Sequence, residues 1–360
     1  FIYLGERKTK RRKVKMIKHK NYVKELHTFL RNYDLSFLNN KSIMITGASG
    51  LIGSYLVDLL MMYNEVNSGN INVYSIVRNY ERALNRFEDY ITLDQFNLVR
   101  SDVSEKKEYD FKVDFIVHAA SNANPKAFDE DPIGTIKANV DGTMNLLDYA
   151  HRVDAKLLYL SSSEIYGEPI SRGIVYEEED MGIIDPINPR SCYTESKRMA
   201  ENICINYSLQ FGVHTNIARI GFAYGSTFGD RDNRVIPQFI RSGLSSKNIV
   251  MKSTGSLVRS YIYMYDVASA IFTILNKAES REVYNIANSE SNVSIKHIAE
   301  AVSKATNKEI KYDLPKQELE KGYAPFSSGL IDASKLEKLG WKAQYDIEEG
   351  INQIIKTLQD

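Results

Sequence analysis

The sequence predicts a doubly wound α/β fold: a parallel Rossmann sheet followed by a smaller C-terminal α/β substrate lobe. Three observations carry that expectation. From residue 41 short apolar runs alternate with helix-period segments as far as Ile220, the runs are apolar throughout rather than at every second residue, and a glycine-rich turn separates the first run from the first helix. Strands covered on both faces lose the period-two pattern, and successive strands separated by helices pair in parallel.

The first strand is expected at Ser42–Thr46, feeding a helix from about Leu51 to Tyr63. Ile71–Val77 reads as the second strand, Tyr80–Tyr90 as a helix and Phe96–Val99 as a weaker third strand. Val113–Val117 predicts the fourth strand, Ile133–His151 a helix and Lys156–Leu160 the next strand. A long helix over Arg190–Phe211 then leads to the strand Val213–Ile220. Past Gly221 the alternation loosens, with helices expected at 235–244, 265–277, 294–305 and 347–358 and short strands such as Glu282–Ile286. Residues 21–220 are therefore expected to form the dinucleotide-binding domain, with 21–38 packed on it as a helix. Residues 221–360 form the smaller lobe, some of whose segments return to the sheet.

A chain of 360 residues, 43% hydrophobic, is long enough to bury a large core. Its 46 basic and 46 acidic residues balance, which points away from nucleic acid and membrane surfaces as partners. The balance hides a basic head: residues 1–20 hold nine Lys and Arg against Glu6 alone. A solvated, disordered head is the expectation. The chain begins with Phe and carries Met16 inside that head, so residues 1–15 are expected to precede the fold. Two cysteines, Cys192 and Cys204, make neither a disulfide framework nor a metal cluster and fit a reducing compartment. No apolar run approaches the roughly 18 residues of a membrane span. A cytoplasmic protein without a metal is expected.

Thr46-Gly47-Ala48-Ser49-Gly50-Leu51-Ile52-Gly53 lies between the first strand and the first helix. Glycines there allow a tight turn, close approach of the backbone to a pyrophosphate, and helix–strand packing; the helix N-terminus, opened by Leu51 and Ile52, offers N–H groups to the phosphates. NAD enzymes carry an acid after the second strand for the ribose hydroxyls. Arg78 stands there instead, with Arg82 nearby. An arginine can accept a 2′-phosphate, so NAD is the expected cofactor with NADP left open. Asp102 and Val103, after the third strand, are placed to meet the adenine. His118-Ala119-Ala120-Ser121 ends the fourth strand, where Ala119, Ala120 and Ser121 leave room for the cofactor and His118 reads as a packed structural residue.

Tyr193 and Lys197 are spaced i, i+4 and share a helix face. A phenol is a poor base at neutral pH. An adjacent ammonium and a positive nicotinamide would favour phenolate, so a lowered Tyr193 pKa is expected, with Tyr193 taking a hydroxyl proton as hydride departs. Lys197 is also expected to hold the nicotinamide ribose.

These motifs, with Ser161-Ser162-Ser163-Glu164-Ile165-Tyr166-Gly167 between them, resemble in type and order the extended short-chain dehydrogenases of the epimerase/dehydratase group, which act on nucleotide sugars. The resemblance spans about residues 41–358. Within that group the run Asn188-Pro189-Arg190-Ser191-Cys192-Tyr193-Thr194-Glu195-Ser196-Lys197-Arg198 is most similar to UDP-glucuronate decarboxylases. The resemblance implies Ser162 as the hydroxyl bonded to the sugar oxygen, Ser163 beside it, Glu164 as a second acid/base and Arg259 as a substrate ligand. It further implies that Asn139 supports the cofactor site and that the enzyme is a homodimer. Oxidising C4 of a glucuronate gives a β-keto acid that sheds carbon dioxide, after which the hydride returns and the cofactor is recycled. The same oxidised intermediate leads to a 4-epimerase or a 4,6-dehydratase with other sugars, and an NADPH-dependent carbonyl reductase is the remaining alternative. Phe222 stands where the group has an asparagine on the diphosphate, and Ala324–Leu330 replaces a basic run. Arg234 and Arg241 are the candidates for the missing positive charge.

Overall fold

A computed structural model describes residues 16–123, 125–169, 174–230, 232–314 and 330–360. The basic head over 1–15 and the segment 324–329 lie outside the described residues. Seven strands form the central sheet: β1 (Ser42–Thr46), β2 (Asn72–Val77), β3 (Phe96–Arg100), β4 (Phe115–His118), β5 (Lys156–Ser162), β6 (Thr215–Ile220) and β7 (Val283–Ile286). Their order is β7-β6-β5-β4-β1-β2-β3, and every pairing is parallel. The order reverses beside β1, which pairs with both β2 and β4. In open parallel sheets the crevice at such a reversal, outside the carboxyl ends of the strands, is where ligands bind.

The helices are α1 (Lys20–Asn32), α2 (Leu51–Asn67), α3 (Tyr80–Arg86), α4 (Pro125–Glu130), α5 (Pro132–Asn139), α6 (Asp141–Val153), α7 (Ser191–Phe211), α8 (Val235–Gly243), α9 (Met264–Lys277), α10 (Ile295–Thr306), α11 (Ser334–Glu337) and α12 (Ile347–Gln359). The apolar strands serve two cores. Ile43 and Ile45 of β1, Val117 of β4, and Leu158 and Leu160 of β5 face a core shared with α1, α2 and α9. Met44, Ile116, Leu157 and Tyr159, the alternate residues, face a second core with α6 and α7. That is why these strands read as uninterrupted apolar runs.

The helix expected over Ile133–His151 is two helices. Asp131 caps the first, its side chain accepting the Gly134 N–H, with Pro132 in the first turn. The break falls at Val140, next to Asn139, whose side chain is drawn to α7 (2.9 Å to Ser196 Oγ). The fourth strand begins at Phe115 rather than Val113, and Arg190 is the N-cap of α7 rather than its first residue.

α1 packs on α2 and α12. It carries Glu25 into the core, where the carboxylate accepts hydrogen bonds from Tyr55 (2.8 Å) and Tyr263 (2.6 Å). Past β6 the chain forms a small sheet in which Phe222–Tyr224 pairs in parallel with Val258–Tyr263, and the start of the latter pairs antiparallel with Asn292–Ser294. Val283–Ile286 then returns to the central sheet beside β6.

Candidate active site

β1 delivers the chain into a turn that only glycine can make. Gly47 has φ +64°, and a Cβ there would stand 2.8 Å from the Ala119 carbonyl oxygen at the end of β4. The N–H of Gly50 donates to the Gly47 carbonyl (2.8 Å), and Gly50 caps α2 without any side-chain acceptor. The first-turn N–H groups of α2, from Leu51 to Gly53, therefore face the crevice with the positive end of the helix dipole behind them, as a pyrophosphate requires. Thr227 reaches the same turn from the far side, its hydroxyl donating to the Leu51 carbonyl at 2.8 Å.

Around this turn the remaining expected cofactor residues take separate places. Asp102 Oδ1 accepts from the Ser104 N–H (3.0 Å) and hydroxyl (2.8 Å), while Oδ2 lies 4.0 Å from Arg78 Nη1. The Arg78 side chain is 64% exposed. Val103 is buried, and its carbonyl accepts from Asn145 at 2.9 Å. Ala120 N–H donates to Thr46 Oγ1 (3.1 Å), and Ser121 Oγ is a buried hydroxyl without a partner. His118 is buried against Thr46, Nδ1 to Oγ1 2.9 Å. Burial, helped by Lys197, pushes its pKa down to about 3, so the ring is neutral.

Tyr193 and Lys197 both lie on the buried face of α7. Lys197 Nζ donates to the Leu160 carbonyl at 2.7 Å and stands 4.6 Å from the Tyr159 ring and 5.9 Å from that of Tyr193. Ser162, at the end of β5, accepts the Glu164 N–H at 3.2 Å, and its hydroxyl also contacts the Tyr193 phenol. Ser163 and Glu164 follow in the helical turn Ser163–Tyr166. Asn139 braces the same helix: its Nδ2 donates to Ser196 Oγ, which donates to the Tyr193 carbonyl (3.0 Å). Asn139 thus meets α7 rather than the glycine turn.

The electrostatics differ from the sequence expectation. The Tyr193 pKa is raised, not lowered: burial dominates, the Glu164 charge adds to it, and the opposing contributions come from Ser162 and Arg234. The Lys197 ammonium is itself disfavoured, burial pulling its pKa down to about 7 against the pull of Glu201. Desolvation acts on both groups of the pair, and a lysine that is half neutral near pH 7 is a weak source of field for its neighbour. Glu201 is held in turn by Arg219 (2.8 Å, both buried).

Arg259, expected to meet the substrate, and Phe222 meet across the small sheet. The Arg259 guanidinium carbon sits 4.3 Å from the Phe222 ring centroid. The apolar ring that cannot replace an asparagine donor serves instead as a platform for a guanidinium. Arg234 is tied to Asp232 (2.6 Å) and to the Ala223 carbonyl (3.2 Å), with its charge still felt at Tyr193. Arg241 spends donors on the Asp232 and Gly229 carbonyls. Two residues escaped sequence reasoning. Phe128 of α4 stacks on Tyr193, ring centroids 4.6 Å apart at 22°. Arg190 lies over the other end of that stack, 5.4 Å from the Phe128 ring. Only the i, i+3 spacing of Arg190 and Tyr193 hinted at this.

Residues 43–287 match the family described as NAD dependent epimerase/dehydratase. The chain belongs to the NAD-dependent epimerase/dehydratase family. Among its relatives are UDP-glucuronic acid decarboxylase 1 of Danio rerio, 34% identical over 89% of this chain and 73% of that protein, and UDP-glucuronic acid decarboxylase 6 of Arabidopsis thaliana, 33% identical over 88% of each. Similar folds include dTDP-glucose 4,6-dehydratase of Bacillus anthracis in complex with NAD (TM-score 0.73, 23% identity, 89% of this chain and 96% of that one). Another is UDP-glucuronic acid 4-epimerase of Bacillus cereus with UDP-glucuronic acid and NAD (TM-score 0.74, 21% identity, 88% and 99%).

As in other enzymes of this NAD-dependent family, the cradle has what a dinucleotide asks for. The turn at Gly47 has no room for a side chain, the helix end at Gly50 carries no side-chain cap, and a carboxylate oxygen of Asp102 accepts no hydrogen bond among the described residues. NAD is the cofactor these residues serve. Among the described residues no helix is long and apolar enough to cross a membrane.

Proposed function

We propose that this enzyme decarboxylates a nucleotide-linked uronate, most simply UDP-glucuronate, through transient oxidation at C4. The observation that carries the reading is the grouping of Tyr193, Ser162 and Glu164 with two arginines, Arg190 and Arg259, whose charges reach Glu164. The decarboxylase names of relatives 33–34% identical support it.

The chain's own groups divide the work. Ser162 bonds the C4 oxygen and orients its proton toward Tyr193. Burial raises the Tyr193 pKa in the dinucleotide-free chain, so the phenolate that takes that proton depends on the positive nicotinamide, whose ribose Lys197 would hold in line. Bound NAD would supply a reversible acceptor for the C4 hydride. The resulting β-keto acid breaks its C5–C6 bond, the electron pair moves into the C4 enolate, and carbon dioxide departs. C5 then takes a proton from Glu164, which is replaced from solvent, and Tyr193 returns its own to O4, so cofactor and enzyme are restored. Burial raises the Glu164 pKa against the pull of Arg190 and Arg259, which makes this carboxyl the candidate for moving a proton at C5.

The enzyme also reads as a homodimer. Ile133 and Ile136 on α5, Met144 on α6 and Met199 on α7 are exposed large apolar side chains on three helices that pack together. A second copy is the occupant their burial calls for.

The reading is tested by incubating the enzyme with UDP-glucuronate and weighing the product. Loss of carbon dioxide without net consumption of NAD is expected. Loss of water, a changed configuration without mass change, or stoichiometric oxidation of NADPH would each replace decarboxylation with another reaction.

A further inference from the structure

β5 anchors Lys197, and it also anchors the residue one turn further along α7. Lys197 Nζ donates to the Leu160 carbonyl at 2.7 Å, and the next residue, Ser161, donates its hydroxyl to Glu201 Oε1 at 2.5 Å. Glu201 follows Lys197 by four positions and both are buried, so the two side chains leave one helix face toward adjacent points on one strand. Arg219 stands opposite Ser161 in the register of β5 and β6 and grips the carboxylate, with Nε 3.1 Å from Oε1 and Nη2 2.8 Å from Oε2. Its remaining nitrogen, Nη1, donates to the Glu178 carbonyl (2.6 Å) and the Tyr166 hydroxyl (3.0 Å), which fixes the guanidinium from its far side. The Glu201 carboxylate is thus locked in place by two strands, one turn from the lysine.

The other groups around Lys197 carry no charge to hold its proton. His118 from β4 is neutral, and burial favours the protonated, uncharged forms of Tyr159 from β5 and of Tyr193 and Cys204 from α7. Among the described residues that act on the lysine, Glu201 is the one carboxylate, and it opposes the burial that disfavours the ammonium. We propose that Glu201 is a positioning residue: locked by Ser161 and Arg219, it keeps the proton on Lys197, and through Lys197 it keeps Tyr193 able to take the hydroxyl proton of the substrate. The effect on Tyr193 rests on the C4-oxidation reading given above; the hold on Lys197 is a property of the protein without ligand. A buried Arg–Glu pair that served the fold alone would leave the titration of the lysine where it is.

Two measurements test it. The first follows Lys197 in dinucleotide-free protein, as the difference in unfolding free energy between chains with the amine and chains carrying K197M, from about pH 5 to 9. That difference begins to rise where the folded protein releases the lysine's proton and the unfolded chain still holds it, near pH 7 in the wild type. In an E201Q background the onset should fall by about one to two pH units, whereas E201D, which keeps the carboxylate, should leave it in place. A lone buried Arg219 could prevent E201Q from folding, and E201Q/R219M covers that case: the carboxylate is gone, and the onset should again lie below that of wild type. The second measurement is turnover. The reactive form of the pair is phenolate with ammonium, the idle form phenol with amine, and each unit taken off the lysine shifts their ratio tenfold toward the idle one. E201Q should therefore lower kcat about ten- to a hundredfold, with KM changed less than about threefold and kcat restored by E201D. Equal onsets in wild type and E201Q, or a slope in neither, overturn the assignment. Wild type that never turns over UDP-glucuronate but whose onset follows Glu201 loses the C4 reading and keeps the hold on Lys197; active wild type with an onset indifferent to Glu201 does the reverse.

Discussion

The two sides of the cleft are built from different parts of the chain. On the dinucleotide side the recognising groups are backbone: the turn at Gly47, the open N–H groups of α2 and the close approach of β4. They come from one stretch of eight residues, Thr46–Gly53, and one strand end. On the side proposed for the sugar the groups are side chains from distant segments: Phe128 from α4, Ser162 and Glu164 after β5, Arg190 and Tyr193 at the start of α7, Arg259 from the small sheet. A backbone site tolerates changes of side chain around it and is shared by enzymes of many substrates. A side-chain site is re-specified one residue at a time.

The largest effect expected from breaking this arrangement is at Tyr193. Tyr193→Phe removes the proton acceptor while leaving ring, stack and fold, so turnover should fall about 10²–10⁴-fold with bound dinucleotide unchanged. Steady-state kinetics and the dinucleotide released on denaturation check both halves. Retained turnover would move the proton transfer to another group. On the opposite side, Gly47→Ala attacks the backbone site. The positive φ costs about 1–2 kcal/mol for any side chain, and the overlap with the Ala119 carbonyl adds about 1–3. Thermal unfolding should shift down accordingly, and the purified variant should carry little dinucleotide. Normal stability and full NAD content would show that the turn is not the rigid part of the cradle.

The same division explains what the sequence reveals. The glycine turn is local, and β1, α2 and the sheet order around them follow from spacing and apolar runs. Tyr193 and Lys197 are also legible, because i, i+4 on a helix is a local relation. Their electrostatics are not. The raised phenol of the dinucleotide-free chain reflects burial and Glu164, a neighbour brought in from another loop, whereas the lowering expected from the sequence counted the nicotinamide charge as well as the lysine. The stack of Phe128 on Tyr193 joins residues 65 positions apart, so no periodicity could disclose it. The break at Val140 is similar: the apolar pattern runs on through Ile133–His151, and the contact at the break comes from α7. Phe222 looked like a lost polar contact until Arg259 was placed over it.

Lys197 lies 5.9 Å from the Tyr193 ring, and its titration gives a sharper test than its removal. In the unfolded chain the amine keeps its proton to about 10.5, whereas in the folded protein it releases it near 7. Below pH 7 both states hold the proton and the group adds no pH dependence. Between about 7 and 10.5 the unfolded state binds more protons, so this group's contribution to stability rises with pH, by at most about 1.4 kcal/mol per pH unit. Denaturant unfolding of dinucleotide-free wild type and Lys197→Met, at pH 7, 8 and 9, isolates that slope as the difference between the two proteins. A flat difference would mean that the ammonium persists in the folded state, and the lysine would then be a strong field source for Tyr193 after all.

The smallest effect concerns Arg78, and it decides whether the dinucleotide side really depends on backbone alone. Arg78 is mostly exposed and faces Asp102 at 4.0 Å, a separation at which a solvated pair contributes about 0–1 kcal/mol. Arg78→Ala should therefore change NAD affinity by less than about fivefold. The informative comparison is with NADP. A guanidinium that received a 2′-phosphate would give wild type measurable NADP binding that the variant loses, since a charge-assisted pair with phosphate is worth more than a solvated ion pair. Asp102 argues against that: its carboxylate stands 4.0 Å from Arg78 and would repel a phosphate held there. Weak NADP binding in both proteins, measured by calorimetry at low salt, leaves the cradle a backbone site with an ornamental arginine. Strong, Arg78-dependent NADP binding would make one side chain the arbiter of cofactor choice and erase the contrast between the two sides of the cleft.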